Sequence, residues 1–226
     1  MFENVFIAVY THQCKSYCDY EFFNNLFASD IGSASVAIID NSPDTTYFHY
    51  LYDTYSDRAY IDHVAVDRAA IENAQVLFLR NVEASLYGLR RMFLDGDYEY
   101  FIILESDVRP RDAKWLHYFM EVVGQADIIG GLYYDGPIIP LHVPEMWQGP
   151  PRIIPTHHAL SGCTLYKRAV LERFAFRTSA ENLGAFPDAW MSVDAGGAGF
   201  KIANYTKIQC DHMTDEIGLR GQQNIN

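Results

Sequence analysis

The 226-residue chain is predicted to be an α/β protein with a largely parallel sheet covered by helices on both faces. In its first half, apolar runs of strand character alternate with stretches that carry apolar residues at helical spacing, an order typical of parallel sheets. Several of these runs end abruptly in polar residues, as strands do when they open onto a binding cleft. The composition, 49% hydrophobic and 20% charged, is that of a folded protein.

The first elements follow this alternation. Val5–Thr11 has the composition of a strand, residues 18–27 carry apolar side chains at helical spacing, and Ser35–Asp40 has the composition of a second strand. The turn-forming residues 41–43 stop that strand. The tyrosine-rich stretch 44–66 favours neither helix nor strand and is left unassigned.

A third strand is predicted over residues 75–80, which would place Arg80 at a strand end. Residues 83–94 are predicted to form a helix, because Leu86, Leu89 and Phe93 recur three or four residues apart and Gly96 follows as a stop signal.

The segment YFIILESDVRP, residues 100–110, is the most informative part of the chain. Its first five residues have the apolar, β-branched and aromatic character of a buried strand. The strand ends in Glu105 and Asp107, and Pro110 prevents a regular ladder from continuing. Two carboxylates at the mouth of a buried strand repel each other and gain nothing from the core. The pattern therefore favours a divalent cation held against a phosphate-bearing ligand.

The second half is less regular. Asp112 is a candidate N-cap for a helix through residue 123. Residues 133–156 hold six of the nine prolines together with Trp147, which predicts a long irregular segment of the kind that often forms binding loops. His157 and His158 follow and are interpreted as loop residues. A short helix is predicted around residues 167–174, a helix after Asp188 that ends at residues 196–199, and a strand over residues 201–208.

Charge and composition narrow the functional classes. The net charge of −12 argues against broad binding to a nucleic-acid backbone, although Arg109 and Arg111 could line a local basic channel. No apolar run approaches the roughly 20 residues that span a bilayer. The first residues lack the features of a signal peptide, and the four cysteines are too scattered for a disulfide framework. We therefore expect a cytoplasmic protein with reduced thiols and no transmembrane segment.

In their order and spacing, five motifs resemble those of nucleotide-sugar-dependent glycosyltransferases with the GT-A fold, most closely family 2. SVAIIDNS resembles the second strand with its acidic end, LRN the arginine-asparagine turn, LESDV the DxD element, PDAWMSVDAGGAGFK the segment with the catalytic acid, and DHM the late metal-binding histidine. The resemblance runs from Val5 to about His212. The chain departs from the pattern at Glu105, where aspartate is usual, and at Pro187, where glutamate is common.

The resemblance implies a single domain over residues 1–226, in which residues 1–110 bind the nucleotide sugar and residues 111–226 bind the acceptor and carry catalysis. It implies a GT-A fold, which is Rossmann-like and has a mixed, mostly parallel sheet with helices on both faces. It also implies metal-dependent transfer of a sugar with inversion of configuration. The donor is a nucleotide sugar, UDP-linked by default, and the acceptor is a hydroxyl of a glycan, lipid-linked sugar, protein or small molecule. The implied residues are Thr11, Asp40, Arg80, Glu105 and Asp107 for the donor, Asp107 and His212 for Mn²⁺ or Mg²⁺, Asp188 as base with Asp194 as its competitor, and Trp147 and Trp190 for the acceptor.

Two alternatives stay open. A glycosyltransferase acting on hydroxymethylated bases of viral DNA would need base extrusion or a basic groove, so nucleic acid is the less favoured acceptor. A degenerate, non-catalytic module would bind the sugar nucleotide and would not need Asp188. A P-loop enzyme is excluded because the chain has no GxxxxGK motif. Arg220, in the polar tail, could reach a pyrophosphate, although a frayed terminus is favoured.

Overall fold

The computed structural model of the chain describes residues 2–67, 71, 73–133, 149–159, 162–179 and 185–213. The strands in these residues are β1 (Val5–Thr11), β2 (Ser35–Asp40), β3 (Tyr60–His63), β4 (Tyr100–Glu105), β5 (Val108–Pro110), β6 (Ile128–Tyr133), β7 (Ile153–Pro155), β8 (Cys163–Lys167) and β9 (Ile202–His212). The helices are α1 (Asp19–Ala28), α2 (Thr46–Tyr55), α3 (Ala74–Asp95), α4 (Trp115–Val122), α5 (Arg168–Arg173) and α6 (Pro187–Gly197), with a 3-10 helix at Gln13–Cys18.

The strands form one mixed sheet in the order β3-β2-β1-β4-β8-β6-β9-β5, and β7 pairs with β9. The strands β3, β2, β1 and β4 are parallel, as are β6 and β9, whereas β8 runs antiparallel to both of its neighbours. The predicted α/β class with a mixed central sheet is confirmed.

The sheet separates two cores, because neighbouring residues of a strand point to opposite faces. In β1, Ile7 and Val9 belong to the core that packs against α1, α2 and α4. Phe6 and Ala8 belong to the core that packs against α3, α5 and α6. Helices therefore cover both faces, which explains why β1 and most of β2 and β4 are continuously apolar.

The strand predicted over residues 75–80 is wrong, because these residues form the start of α3, which is 22 residues long. A short apolar run fits either period, and here the helical one prevails: Leu79, Val82 and Leu86 are buried at spacings of three and four. The Asn73 side chain caps the helix by accepting a hydrogen bond from the Val76 N–H. Arg80 therefore lies on a helix and not at a strand end.

The strand on the other side of β2 from β1 is β3. Both β3 and α2 lie in the tyrosine-rich stretch, residues 44–66, that the sequence analysis leaves unassigned. Two other expectations need adjustment. The helix expected after Asp112 begins at Trp115, and the Asp112 carboxylate instead accepts a hydrogen bond from the Lys114 N–H in the preceding turn. Pro110 is not what ends β4, because β4 stops at Glu105 and Pro110 itself pairs with Cys210 in β5, a separate strand at the edge of the sheet.

Candidate functional site

The candidate site lies at the carboxyl edge of the parallel strands. Thr11, Asp40 and Glu105 are the last residues of β1, β2 and β4, and the register places Thr11 beside Asp40. Asp107 follows in the turn between β4 and β5. The structure thus brings four of the predicted donor-site residues to one edge of the sheet, as parallel strands require.

His212 reaches the same edge through pairing of distant segments. The antiparallel pair β5–β9 places His212 opposite Val108, and the Met213 N–H donates to the Asp107 carbonyl oxygen at 2.7 Å. The His212 Nε2 atom consequently lies 3.5 Å from Asp107 Oδ2. These are the two residues that the sequence predicts as metal ligands.

A lysine that the sequence analysis did not single out completes this cluster. The Lys15 Nζ atom donates to Asp107 Oδ1 at 2.8 Å and lies 3.8 Å from Glu105 Oε2. The Tyr10 hydroxyl donates to the other oxygen of Glu105. Burial alone would raise the pKa of Asp107, but the Lys15 charge and His212 lower it well below its usual range. Burial disfavours the charged form of Lys15 and would lower its pKa. The negative charges of Asp107 and Glu105 have the larger effect, so the Lys15 pKa is raised.

The buried Asp40 carboxylate is engaged on both oxygens. Oδ1 accepts hydrogen bonds from the N–H and the hydroxyl of Ser42, and Oδ2 lies 3.1 Å from His63 Nδ1. The Ser42 hydroxyl oxygen also accepts from the Gln13 N–H at 2.8 Å. Asp40 therefore joins the ends of β1, β2 and β3, and it orients the His63 ring at the same edge.

A second buried carboxyl, that of Asp19, is connected to Thr11 through Tyr47. The Thr11 hydroxyl is 3.3 Å from the Tyr47 hydroxyl, which donates to Asp19 Oδ1 at 2.6 Å. Burial raises the pKa of Asp19 to about 6. The hydrogen bond from Tyr47 lowers this pKa and partly offsets the effect of burial, whereas the Asp40 charge raises it further.

This raised pKa makes folding stability depend on pH. Because the folded pKa of Asp19 exceeds its unfolded value of about 4, the folded state retains a proton that the unfolded chain releases between about pH 4 and pH 6. The Asp19 contribution to stability is present below about pH 4 and is lost as the pH rises to about 6. We expect Asp19→Asn to increase the free energy of unfolding by about 2 kcal/mol at pH 7 and by little at pH 4. Urea unfolding of both proteins across this range tests this, and a difference that does not change with pH would contradict it.

The candidate base, Asp188, lies in the first turn of α6, directly after Pro187, which is favoured at this position. It is only 5% exposed, and its Oδ2 atom lies 3.3 Å from His158 Nε2. The positive end of the helix dipole stabilises a carboxylate there. The interpretation of His158 as a mere loop residue misses this contact, which joins segments 30 residues apart.

Two observations relate the region around Asp188 to the edge of the sheet. Tyr166 is fully buried in β8, and burial raises its pKa, with smaller contributions from the negative charges of Asp188 and Glu105. Phe186, which precedes α6, packs edge to face on Phe78 of α3 at a ring distance of 5.8 Å. In α3, Ser85 accepts a hydrogen bond from the Asn41 side chain beside the end of β2.

The competing base, Asp194, is held in an ion pair. Arg177 donates to its two carboxylate oxygens at 2.7 and 2.9 Å, and this hydrogen bonding lowers the pKa of Asp194. The Arg177 guanidinium also lies 4.2 Å from the ring centre of Trp190, which is half-buried. A carboxylate held by a bidentate guanidinium is a poor proton acceptor, so this geometry favours Asp188.

The remaining predicted residues lie elsewhere. The Arg80 side chain pairs with Glu83 at 2.7 Å on α3, and its donor role stays a prediction. Trp147 and Arg220 fall outside the described residues. The basic channel predicted at Arg109 and Arg111 is neutralised, because Arg109 pairs with Glu21 and Asp211, and Arg111 also pairs with Asp211.

Asp107 and His212 fit the chemistry of Mn²⁺, which accepts both carboxylate and imidazole ligands. Among the described residues, no group of three or more histidine, cysteine, aspartate or glutamate side chains is arranged to hold a metal ion. A cation at Asp107 and His212 would therefore complete its shell with water and substrate phosphate, as Mg²⁺ does in many phosphate-binding sites.

Comparison with known proteins identifies the fold. No protein-family model matches the chain, and no curated protein sequence matches it significantly. Among solved structures, the mannosyltransferase PcManGT from Pyrobaculum calidifontis in complex with GDP-Man and Mn²⁺ matches 97% of this chain with a TM-score of 0.65 and 14% identity. TarS 1–349 from S. aureus matches 94% of the chain in complex with UDP-GlcNAc (TM-score 0.62, 15% identity) and 98% in complex with UDP (TM-score 0.63, 14% identity). The chain has the GT-A fold.

Within this GT-A fold, the cluster at Glu105, Asp107 and His212 occupies the carboxyl edge of the sheet, where α/β proteins bind ligands. The chain covers 59% of PcManGT and 59–64% of these TarS structures, so it spans about three fifths of their length. Identities of 14–15% establish the fold alone, and membership of family 2 stays a prediction. In the part of the chain that the structure describes, no helix has the length and hydrophobicity needed to cross a bilayer.

Proposed function

We propose that this protein is a metal-dependent, inverting glycosyltransferase that moves a sugar from a nucleotide-sugar donor to an acceptor hydroxyl. The observation that carries the proposal is the meeting of Glu105, Asp107 and His212 at the carboxyl edge of a GT-A sheet. The neighbours with this fold were solved with GDP-Man, UDP-GlcNAc and UDP, which supports a nucleotide-sugar donor, and one of them also contained Mn²⁺.

The donor would lie across the ends of β1, β2 and β4. Asp107 and His212 would hold Mn²⁺ or Mg²⁺, which when bound supplies a Lewis acid that neutralises the leaving diphosphate. Glu105, oriented by the Tyr10 hydroxyl, would accept hydrogen bonds from the ribose. Thr11 and the ring of His63, held by Asp40, would border the nucleobase.

The acceptor would enter from the side of α6. Asp188 takes the proton of the acceptor hydroxyl while that oxygen bonds to the anomeric carbon and the bond from this carbon to the diphosphate oxygen breaks. The helix N-terminus stabilises the Asp188 carboxylate before transfer, and His158 orients it. Since the proposal assigns one base and no nucleophile, the reaction is a single displacement with inversion.

The proposal is tested by incubating the protein with UDP- and GDP-linked sugars, with and without Mn²⁺, and measuring the nucleoside diphosphate released with water as the slow acceptor. We expect release from one nucleotide class, dependent on Mn²⁺, and a freshly released sugar whose anomeric configuration, followed by NMR, is opposite to that of the donor. Retained configuration would contradict inversion. Donor binding without release, with or without candidate acceptors, would favour the degenerate binding module.

Several finer assignments belong to this proposal. A UDP-linked donor, an acceptor among glycans, lipid-linked sugars, proteins or small molecules, and the division at residue 110 between donor and acceptor halves are what the family resemblance implies. The cytoplasmic location is an expectation from composition. A DNA acceptor is less favoured, because the net charge is −12 and Arg109 and Arg111, which follow Asp107 in the chain, are paired with carboxylates.

A further inference from the structure

Lys15 lies beside the carboxylate that would hold a metal ion in the donor site. Its Nζ atom lies 2.8 Å from Asp107 Oδ1 and 3.8 Å from Glu105 Oε2, so a single ammonium group faces both carboxylates of the ESD sequence. The Lys15 side chain is only 19% exposed. This is a shielded contact, and it differs from the exposed ion pairs that contribute little in most proteins.

The 3-10 helix that carries Lys15, Gln13–Cys18, contacts the segments that follow β2 and β4. The Cys14 N–H donates to His12 Nδ1 at the start of the 3-10 helix, and the Gln13 N–H donates to Ser42 at the end of β2. The Cys18 Sγ atom lies 3.0 Å from the carbonyl oxygen of Lys15 and 3.3 Å from that of Ser106, the residue between Glu105 and Asp107. The backbone around Lys15 therefore contacts the segments that follow β2 and β4, and the long lysine side chain extends from this backbone to Asp107.

We propose that Lys15 is a resident counter-cation of the donor site that competes with free metal and moves to the donor diphosphate when metal and nucleotide bind together. This inference rests on the proposed function. The ammonium group occupies one Asp107 oxygen and repels a divalent ion at the other. A lysine side chain is a compact charge with three donors on a flexible stem, so it can exchange a carboxylate oxygen for a phosphate oxygen without backbone movement.

Because Lys15 would exchange Asp107 for the diphosphate, the binding of metal and the binding of donor become coupled. In the donor-free protein, Lys15 prevents the buried Asp107 from being left without a positive partner, which would be strongly destabilising. The diphosphate supplies the negative charge that accommodates both the metal and the ammonium group. Free metal therefore binds weakly, and each of the two ligands raises the affinity of the other by the same factor.

The test is a titration with Mn²⁺ alone, in which electron paramagnetic resonance measures the unbound ion. We compare wild type, Lys15→Met, which removes the charge at similar length, and Lys15→Arg, which keeps the charge. We expect Lys15→Met to bind Mn²⁺ at least about tenfold more tightly than wild type, and Lys15→Arg to remain as weak as wild type. Addition of Asp107→Asn to Lys15→Met should abolish the gain. Titration with UDP and GDP in the presence of Mn²⁺ should show a loss of nucleotide affinity in Lys15→Met.

Equal or weaker Mn²⁺ binding by Lys15→Met would overturn the inference, and so would the absence of Mn²⁺ binding by all three proteins. If Lys15→Met is too unstable for titration, Lys15→Gln is used in its place with the same expected gain, and its melting temperature should rise more with Mn²⁺ than that of wild type. The Mn²⁺ titration needs no donor. Failure of every nucleotide to bind would therefore count against the proposed function, independently of the competition between Lys15 and metal.

Discussion

Replacement of Asp188 by asparagine is expected to reduce sugar transfer by about 10² to 10⁴-fold, the usual contribution of a positioned general base, while donor affinity stays within about twofold. The amide matches the carboxylate in shape but cannot take the acceptor proton. Asp188 lies on α6 and is not among the residues proposed to hold the donor, so donor binding should persist. The measurement is the rate of transfer at saturating donor together with a donor titration of the same protein.

Asp194→Asn is the matched control, since it makes the same change on the same helix. Because Arg177 already holds the Asp194 carboxylate, this variant should lose stability and retain most of its transfer rate. The reverse pattern, in which Asp194→Asn is inactive and Asp188→Asn is active, would show that the base is misassigned. A biological role that persists in Asp188→Asn would favour the non-catalytic module.

Replacement of Asp107 by asparagine is expected to reduce donor affinity, measured with Mn²⁺, by about 10² to 10³-fold. The remaining donor affinity should no longer depend on Mn²⁺. The change removes the carboxylate that both Lys15 and His212 approach, and it leaves the partly buried lysine without its nearest anion. We therefore also expect a lower melting temperature. Calorimetric titration with the nucleotide, at a temperature where the variant is folded, separates the two effects.

Asp97→Asn provides the control for this variant, because Asp97 is an exposed aspartate that precedes the amino end of β4, the strand whose carboxyl end leads to Asp107. It should bind donor and metal like wild type. If Asp107→Asn kept metal-dependent binding, Asp107 would not be the ligand and Glu105 would be the next carboxylate to test.

The sequence is most informative where the chain is buried on both faces. β1 and β2 have the predicted bounds, because Val5–Thr11 and Ser35–Asp40 are apolar runs bounded by turn residues. The strand predicted at residues 75–80 is wrong because six residues cannot distinguish a strand from the first turns of a helix. β3 was not predicted, since it is a four-residue edge strand with an exposed tyrosine and no apolar alternation.

Predictability of the site follows a similar division. The order of the motifs predicts Asp107 and His212 as partners, and the β5–β9 pairing brings them together. Lys15 and His158 have no motif of their own, because their partners lie far along the chain and only the fold determines these contacts. The position of Lys15 just beyond the first strand is the one feature of the sequence that points to a role in the site, because segments at the carboxyl edge of a parallel sheet line the ligand site.

Thermal stability against a panel of sugar nucleotides and free nucleotides, each with and without Mn²⁺, tests the central claim most directly. Binding to the native state raises the melting temperature by mass action, by about 5–10 °C for a chain of this size at about 100 times the dissociation constant. We predict that one nucleotide family gives this shift, that the shift requires Mn²⁺, and that it is absent in Asp107→Asn. The absence of a shift with every nucleotide, or an equal shift in Asp107→Asn, would contradict a metal-dependent nucleotide-sugar site at Glu105, Asp107 and His212.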